Sequence, residues 1–132
     1  MKYSLNSPCP CHSGKKYKQC CQPYHMGILP ANAMLLMRSR YSAYALGLVE
    51  YIISTTHPNN PDVSIALSDW QKAIRDFAQT TYFRGLKIVE FMDGDEEAFV
   101  TFEATLSDGI MKEKSRFLKV EGKWLYESGV FN

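Results

Sequence analysis

Val100-Thr101-Phe102-Glu103-Ala104-Thr105-Leu106-Ser107-Asp108-Gly109 reads as a strand running into a turn. Apolar residues fall on alternate positions, the period of an extended chain with one buried face. Asp108-Gly109 is a tight-hairpin signal. The alternation continues on both sides and predicts four strands, at 81–92, 97–107, 110–120 and 123–131, with Asp93-Gly94 and Glu121-Gly122 in the other turns. Two-residue loops at Asp108-Gly109 and Glu121-Gly122 would set Glu103 against Lys114, Thr101 against Arg116, and Arg116 against Glu127. One face then carries Glu103, Lys114, Arg116 and Glu127 and faces water. The other carries Val100, Phe102, Ala104, Leu106, Met111, Phe117, Trp124 and Tyr126 and needs cover. Two polar groups share that apolar face: Glu113, expected opposite Ala104, and Ser115, expected opposite Phe102 and Ser128. An inward carboxylate is costly unless paired.

The cover comes from upstream. Met34, Met37, Tyr41, Tyr44, Ala45, Leu48 and Ile52 recur at three- and four-residue steps, which predicts one long amphipathic helix from an Asn32 N-cap. Gly47 weakens it, and His57-Pro58-Asn59-Asn60-Pro61 ends it. A second helix is expected from Ser68, with Ser68 and Gln71 as a capping box and Trp70, Ile74, Phe77 and Ala78 buried. Arg38 falls on or beside the apolar stripe. Either its stem packs while its head reaches water, or it anchors an anion or pairs with Glu113. His57, at a helix end, has a bland electrostatic reading and an acid/base one. Helices laid on one face of an antiparallel sheet make the class α+β.

All four cysteines lie between Cys9 and Cys21, in Cys9-Pro10-Cys11-His12-Ser13-Gly14-Lys15-Lys16-Tyr17-Lys18-Gln19-Cys20-Cys21. Disulfides within Cys9/Cys11 or Cys20/Cys21 would be strained. Bridges between the pairs would make a scaffold more cramped than secreted domains use. A tetrahedral ion fits better, one pair coming from each side of a short turn, and zinc is the expected metal. Reduced thiols without metal are the alternative. Lys15, Lys16 and Lys18 would stabilise thiolates. His12 or His25 could replace a sulfur, although four cysteines already fill a tetrahedron. A closed site of this kind is structural, not catalytic.

Net charge is +1, but residues 1–49 hold six basic and no acidic groups, and residues 50–132 hold nine basic and fourteen acidic. A basic metal knuckle can meet an acidic protein surface or nucleic acid. No aromatic-rich basic strand of the base-stacking kind is present. No apolar run is long enough to span a membrane, and Met1-Lys2-Tyr3-Ser4-Leu5 lacks the apolar stretch of a signal peptide. With unbridged thiols, this places the expected location in the cytoplasm.

The cysteine stretch resembles the SEC-C motif, the zinc-binding tail of the SecA translocation ATPase. The resemblance implies zinc ligation by Cys9, Cys11, Cys20 and Cys21. The motif's usual Gly after the second Cys is His12 here, and in SecA the motif contacts other proteins. The helix–sheet order resembles the NTF2-like cone, in which helices close one side of a bent sheet around a cavity. Leu36-Met37-Arg38-Ser39-Arg40-Tyr41, Thr56-His57-Pro58, Ser115-Arg116-Phe117-Leu118 and Gly122-Lys123-Trp124 together resemble the uncharacterised bacterial YchJ family (UPF0225), which joins the two units. The implied division is a zinc motif at 1–25 and an NTF2-like domain at 26–132. A second, C-terminal cysteine motif of some members has no counterpart up to Asn132.

Two functions follow. One is a non-enzymatic interaction module with zinc knuckle and scaffold, since neither G-x-S-x-G nor a Gly-rich phosphate loop is present. The other is a small-molecule binder or enzyme using the cone cavity, with Arg38 as anion anchor, His57 or Glu113 as acid/base, Ser115 nearby, and Tyr41 and Trp124 as walls. It requires Arg38, His57 and Glu113 to converge. Leu118, Leu125 and Phe99 offer a sheet surface for a homodimer, against a monomer. Chelation is expected to unfold the first thirty residues and spare the cone.

Overall fold

The four strands form one antiparallel sheet in the order β1-β2-β3-β4. In the computed structural model, which describes residues 3–131, they are β1 (Phe83–Met92), β2 (Glu97–Leu106), β3 (Gly109–Val120) and β4 (Lys123–Phe131). The expected faces hold: Val100, Phe102, Ala104, Phe117 and Trp124 are buried.

The β2–β3 register differs from the expected one. The loop is Ser107-Asp108, with Leu106 opposite Gly109. Ser107 is engaged elsewhere, its Oγ accepting from the Tyr82 N–H at 2.6 Å. Glu103 therefore faces Lys112, Thr101 faces Lys114, Glu113 faces Phe102 and Ser115 faces Val100. The slip is two residues, which keeps every side chain on its face. Around Glu121-Gly122 the expected pairing of Val120 with Lys123 and Leu118 with Leu125 is present. A bulge after Arg116 then sets Arg116 against Ser128 and Ser115 against Gly129. Glu127 still meets Arg116 at 3.4 Å, but the tighter partner is Glu97, at 2.6 Å.

The helices are α1 (Gln22–His25), α2 (Ala33–Leu46), α3 (Val49–Ser54) and α4 (Leu67–Thr80). Asn32 caps α2, its Oδ1 accepting from the Leu35 N–H at 2.9 Å. The single long helix of the sequence reading is two. Gly47 takes a left-handed φ of 71°, the Leu48 N–H bonds Ala43 O, and the Gly47 N–H bonds Tyr44 O. This is a Schellman ending, and α3 starts afresh beyond it. The capping box does not form. Helix α4 already starts with the Trp70 N–H bonded to Ala66 O, and Ala66 supplies no side-chain cap. Trp70 and Ile74 are buried, but Phe77 is exposed, edge-on to Tyr44 and Phe83.

After α3 the chain runs along the free edge of β4. Tyr126 N–H donates to Thr55 O and His57 N–H to Tyr126 O, each at 2.8 Å, and Asn60 Nδ2 reaches Glu127 O at 2.9 Å. That covers an edge otherwise open to pairing. Helix α2 packs on β2 and β4, and α4 packs on α2 and α3. Among the described residues no helix is long and apolar enough to cross a membrane.

The leader is not a separate appendage. Cys9, Cys11, Tyr17 and Cys21 belong to the same buried cluster as Ala33, Leu36, Met37 and Tyr41 of the α2 region and Val100, Phe102, Phe117 and Trp124 of the sheet. A smaller cluster of Ala43, Ile52, Trp70 and Ile74 joins the helices. Leu118, Leu125 and Phe99, proposed from sequence as a dimer surface, are half-buried, and Lys114 Nζ covers the Phe99 ring at 5.0 Å.

A Cβ at position 47 would meet no atom within 4 Å, so Gly47→Ala tests the backbone alone. The forced left-handed residue should cost about 1 kcal/mol in urea denaturation. A stabilised variant would mean that α2 runs on into α3.

Candidate metal centre

A short hairpin brings the sulfurs together. Pro8 pairs with Lys16, the Cys9 N–H donates to Lys15 O at 2.8 Å, and the Cys20 N–H donates to Tyr17 O at 3.0 Å. The Sγ atoms of Cys9, Cys11, Cys20 and Cys21 all lie within 4.8 Å of one another, with Cys11 and Cys20 at 3.5 Å. Four thiolates held about 2.3 Å from one ion in a tetrahedron lie about 3.8 Å apart, so this donor set fits such an ion. Cys9, Cys11 and Cys21 are buried and Cys20 is half-buried.

The titration of the cluster points the same way. Bonds from Cys21 and then Cys9 pull the Cys11 thiol far below its usual range, against its burial. Cys21 moves up, first through its bond to Cys11, and burial pushes Cys20 up to about 11. One sulfur holds charge at its neighbours' expense. A divalent cation removes that conflict and lets four thiolates coexist.

Helix α2 supports the sulfurs from behind. Ser42 Oγ lies 3.5 Å from Cys9 Sγ, and Arg38 Nη1 donates to Cys11 O at 3.2 Å and approaches Cys11 Sγ at 3.9 Å. Ser13 Oγ is 3.0 Å from Cys20 Sγ. Neither histidine belongs to the cluster. His25 Nε2 donates to Ser39 O at 2.8 Å, which leaves Nδ1 to accept from the Tyr17 hydroxyl at 2.6 Å. Burial pushes that hydroxyl up to about 12, so it stays a donor. His12 Nε2 donates to Phe83 O at 3.1 Å.

A cavity of about 250 Å³ opens between α2 and the apolar face of the sheet. Of the residues expected there, Tyr41, Glu113 and Ser115 line it. Arg38 does not, because it is committed to Cys11. His57 does not, because its Nδ1 accepts from the Asn59 N–H at 3.0 Å in the strap along β4. Trp124 is buried but lines a different groove, beside the Gly27–Pro30 connector. Arg38, His57 and Glu113 therefore do not converge, and Arg38 is not the partner of Glu113. Glu113 Oε2 accepts from Ser115 Oγ at 2.5 Å and from the Tyr126 hydroxyl at 2.9 Å. A Cβ at Gly129 would sit 2.2 Å from that oxygen, so glycine there makes room for the carboxylate.

The sequence reading missed Arg40 and Tyr126 as a pair. Arg40 Cζ lies 4.7 Å from the Tyr126 ring centroid, and Nη1 bonds Ile52 O, Thr55 Oγ1 and Thr56 Oγ1. The signal was present: Arg40 is three residues past Met37 and four before Tyr44, on the stripe itself.

The family model described as "YchJ, middle NTF2-like domain" matches residues 32–129, and the SEC-C motif matches residues 6–23. The chain belongs to the YchJ family. It is 42% identical over 130 residues to a UPF0225 protein of Serratia proteamaculans, covering 92% of this chain and 81% of that one. A UPF0225 protein of Deinococcus radiodurans is 40% identical over 125 residues, covering 90% and 85%. Two solved structures share the fold. A SEC-C motif containing protein from Rhodopseudomonas palustris has a TM-score of 0.81 at 31% identity, over 94% of this chain and 98% of that one. One from Psychrobacter arcticus has a TM-score of 0.79 at 30% identity, over 97% and 84%. In this YchJ-family chain His12 adopts φ 61°, a left-handed value that suits the Gly usual at that SEC-C position. Its bond to Phe83 O and its edge contact with Tyr41 offset that strain.

Two predictions follow from these contacts. Gly129→Ala should cost about 1–3 kcal/mol by overpacking against Glu113. Removing the nearest obstacle with Glu113→Ala should recover part of it in a double-mutant cycle, the Tyr126 hydroxyl at 2.7 Å remaining, and a purely additive cycle would contradict the contact. Burial lowers the His25 pKa from its usual 6.5. As pH falls through 6.5 the unfolded chain takes up this proton first, so stability drops until the lower folded value is reached. His25→Gln keeps a donor and an acceptor but cannot titrate. The stability advantage of wild type over this variant should shrink between about pH 7.5 and about pH 5.5; a pH-independent difference would contradict the assignment.

Proposed function

We propose that this protein is a zinc-holding interaction module, with a structural metal and a basic lip that docks an acidic protein segment. The observation that carries the reading is the sulfur cluster: four mutually close donors, three of them buried. All-sulfur tetrahedral sites favour zinc or iron–sulfur chemistry, and a single closed site of four protein thiolates is the structural zinc arrangement. Four protein sulfurs leave no position for a reacting water, so the metal's role is to hold the hairpin. Four reduced sulfurs also suit a reducing compartment such as the cytoplasm.

The docking half rests on charge. Residues 1–49 contain no acidic side chain. Lys15, Lys16 and Lys18 are exposed and take no part in the ion pairs of the described residues. An acidic segment meeting them gains on-rate and orientation from complementary charge.

Purified protein is expected to carry one zinc per chain by elemental analysis, and sub-stoichiometric zinc in freshly purified protein would contradict the metal assignment. For docking, a labelled Glu/Asp-rich peptide and a single-stranded DNA of equal charge are titrated into wild type and into the Lys15→Glu/Lys16→Glu/Lys18→Glu variant. These exposed positions leave the core untouched, unlike cysteine variants. Salt-sensitive peptide binding that is lost in the variant is expected. Tighter binding of the DNA would move the reading to nucleic acid, and identical peptide binding by the variant would remove the lysines from it.

A further inference from the structure

Arg40 sits inside the domain, 8% exposed, with much of its hydrogen-bonding capacity unused. Its Nη1 serves Ile52 O, Thr55 Oγ1 and Thr56 Oγ1. Nε and Nη2 have no acceptor among the described residues, and no carboxylate there makes an ion pair with Arg40. These two atoms are also not sealed in, since Trp124 Nε1 is the one fully enclosed side-chain polar atom without a partner among the described residues. Arg40 lines the 250 Å³ cavity, and with Nη1 committed its Nε–Nη2 edge is the part of the guanidinium left for an occupant. That edge is the fork that takes a carboxylate through two parallel bonds.

The opposite charge lies one aromatic ring away. Glu113 is 6% exposed, and Oε2 takes both of its hydroxyl donors, leaving Oε1 without one among the described residues. The Tyr126 ring separates the charges, with Arg40 over its face and Glu113 at its hydroxyl. The exposed Asp62 adds a second carboxylate to the lining. The remaining wall is apolar and largely aromatic, including Tyr41, Phe83, Phe102 and Phe117. Pockets for drug-sized ligands begin at roughly 300 Å³, so the occupant is smaller.

We propose that this cavity binds a small zwitterion with an apolar body, of the class of free apolar α-amino acids. The carboxylate docks on the Nε–Nη2 edge of Arg40, the ammonium group on Glu113, and the side chain against the aromatic wall. A plain carboxylic acid would satisfy Arg40 but bring a second negative charge towards Glu113. A plain amine would leave Arg40 unpaired. Only a ligand carrying both charges meets both groups and keeps the buried site neutral.

The test is calorimetric titration of the full chain with L-phenylalanine, with 3-phenylpropionate, which lacks the amine, and with phenethylamine, which lacks the carboxylate. Saturable binding of phenylalanine is expected, at least about tenfold tighter than either half-ligand, because each lost charged hydrogen bond is worth about that factor. Glu113→Gln keeps an acceptor for Ser115 and Tyr126. It should weaken phenylalanine about tenfold and spare 3-phenylpropionate. Arg40→Gln should abolish both; if it fails to fold, the Glu113→Gln comparison decides. Three outcomes would overturn the proposal: no saturable binding of phenylalanine, 3-phenylpropionate binding as tightly as phenylalanine, or phenylalanine affinity unchanged in a folded Glu113→Gln protein.

Discussion

The contact between the sulfur cluster and helix α2 is the constraint on which the rest of this molecule depends. Ser42 reaches Cys9, Arg38 reaches Cys11, and His25 reaches Ser39 O, so three points on the helix hold the leader. The same helix presents Met37, Arg40, Tyr41 and Tyr44 to the cavity on the sheet side. It is the shared wall of two sites. An ion that fixes the sulfurs therefore fixes the helix, and through the helix the roof of the cavity. The physical reason is continuity of packing: the cysteines and the sheet lie in one buried cluster, with no water-filled layer needed between them.

Arg38 and Arg40 show how this wall works. Two residues advance a helix by about 200°, which sends neighbouring arginines to nearly opposite faces. Arg38 serves the cysteine leader, its Nη1 lying 3.9 Å from Cys11 Sγ, a thiol that its neighbouring sulfurs hold low. Arg40 turns inward, closes the end of α3 and stacks on Tyr126. The strap at Thr55–His57, hydrogen-bonded to Tyr126 on the edge of β4, ties that arrangement to the sheet.

Much of this was legible in the sequence. Period-two alternation placed four strands and their faces, since a buried face leaves a direct imprint on side-chain choice. Four cysteines in one short stretch announced a cluster positioned to hold a metal ion, because a tetrahedral donor set is local there. What the sequence concealed was non-local. The β2–β3 register turned on Ser107 leaving the ladder for Tyr82, a contact between residues far apart in the chain. The bulge after Arg116 leaves no pattern of its own. Gly47 reads from sequence as a weak point within a helix, whereas it ends α2 outright. Helical spacing does place Arg40, three residues past Met37 and four before Tyr44, on the inward stripe, but it does not name the partners that hold either arginine. The leader's hydrogen bonds to α2 likewise could not be read from spacing, so it was expected to fold and unfold by itself.

The coupling of leader and domain is tested most directly by stripping metal from the purified full chain with a chelator while recording two-dimensional amide NMR spectra. A metal that braces α2 from the leader side predicts that resonances of α2 and of the sheet residues packed on it shift or broaden together with residues 3–30, and that the midpoint of thermal unfolding falls for the whole chain in one transition. Loss of the leader resonances alone, with those of Leu36, Val100 and Phe117 unmoved and the unfolding midpoint unchanged, would contradict it.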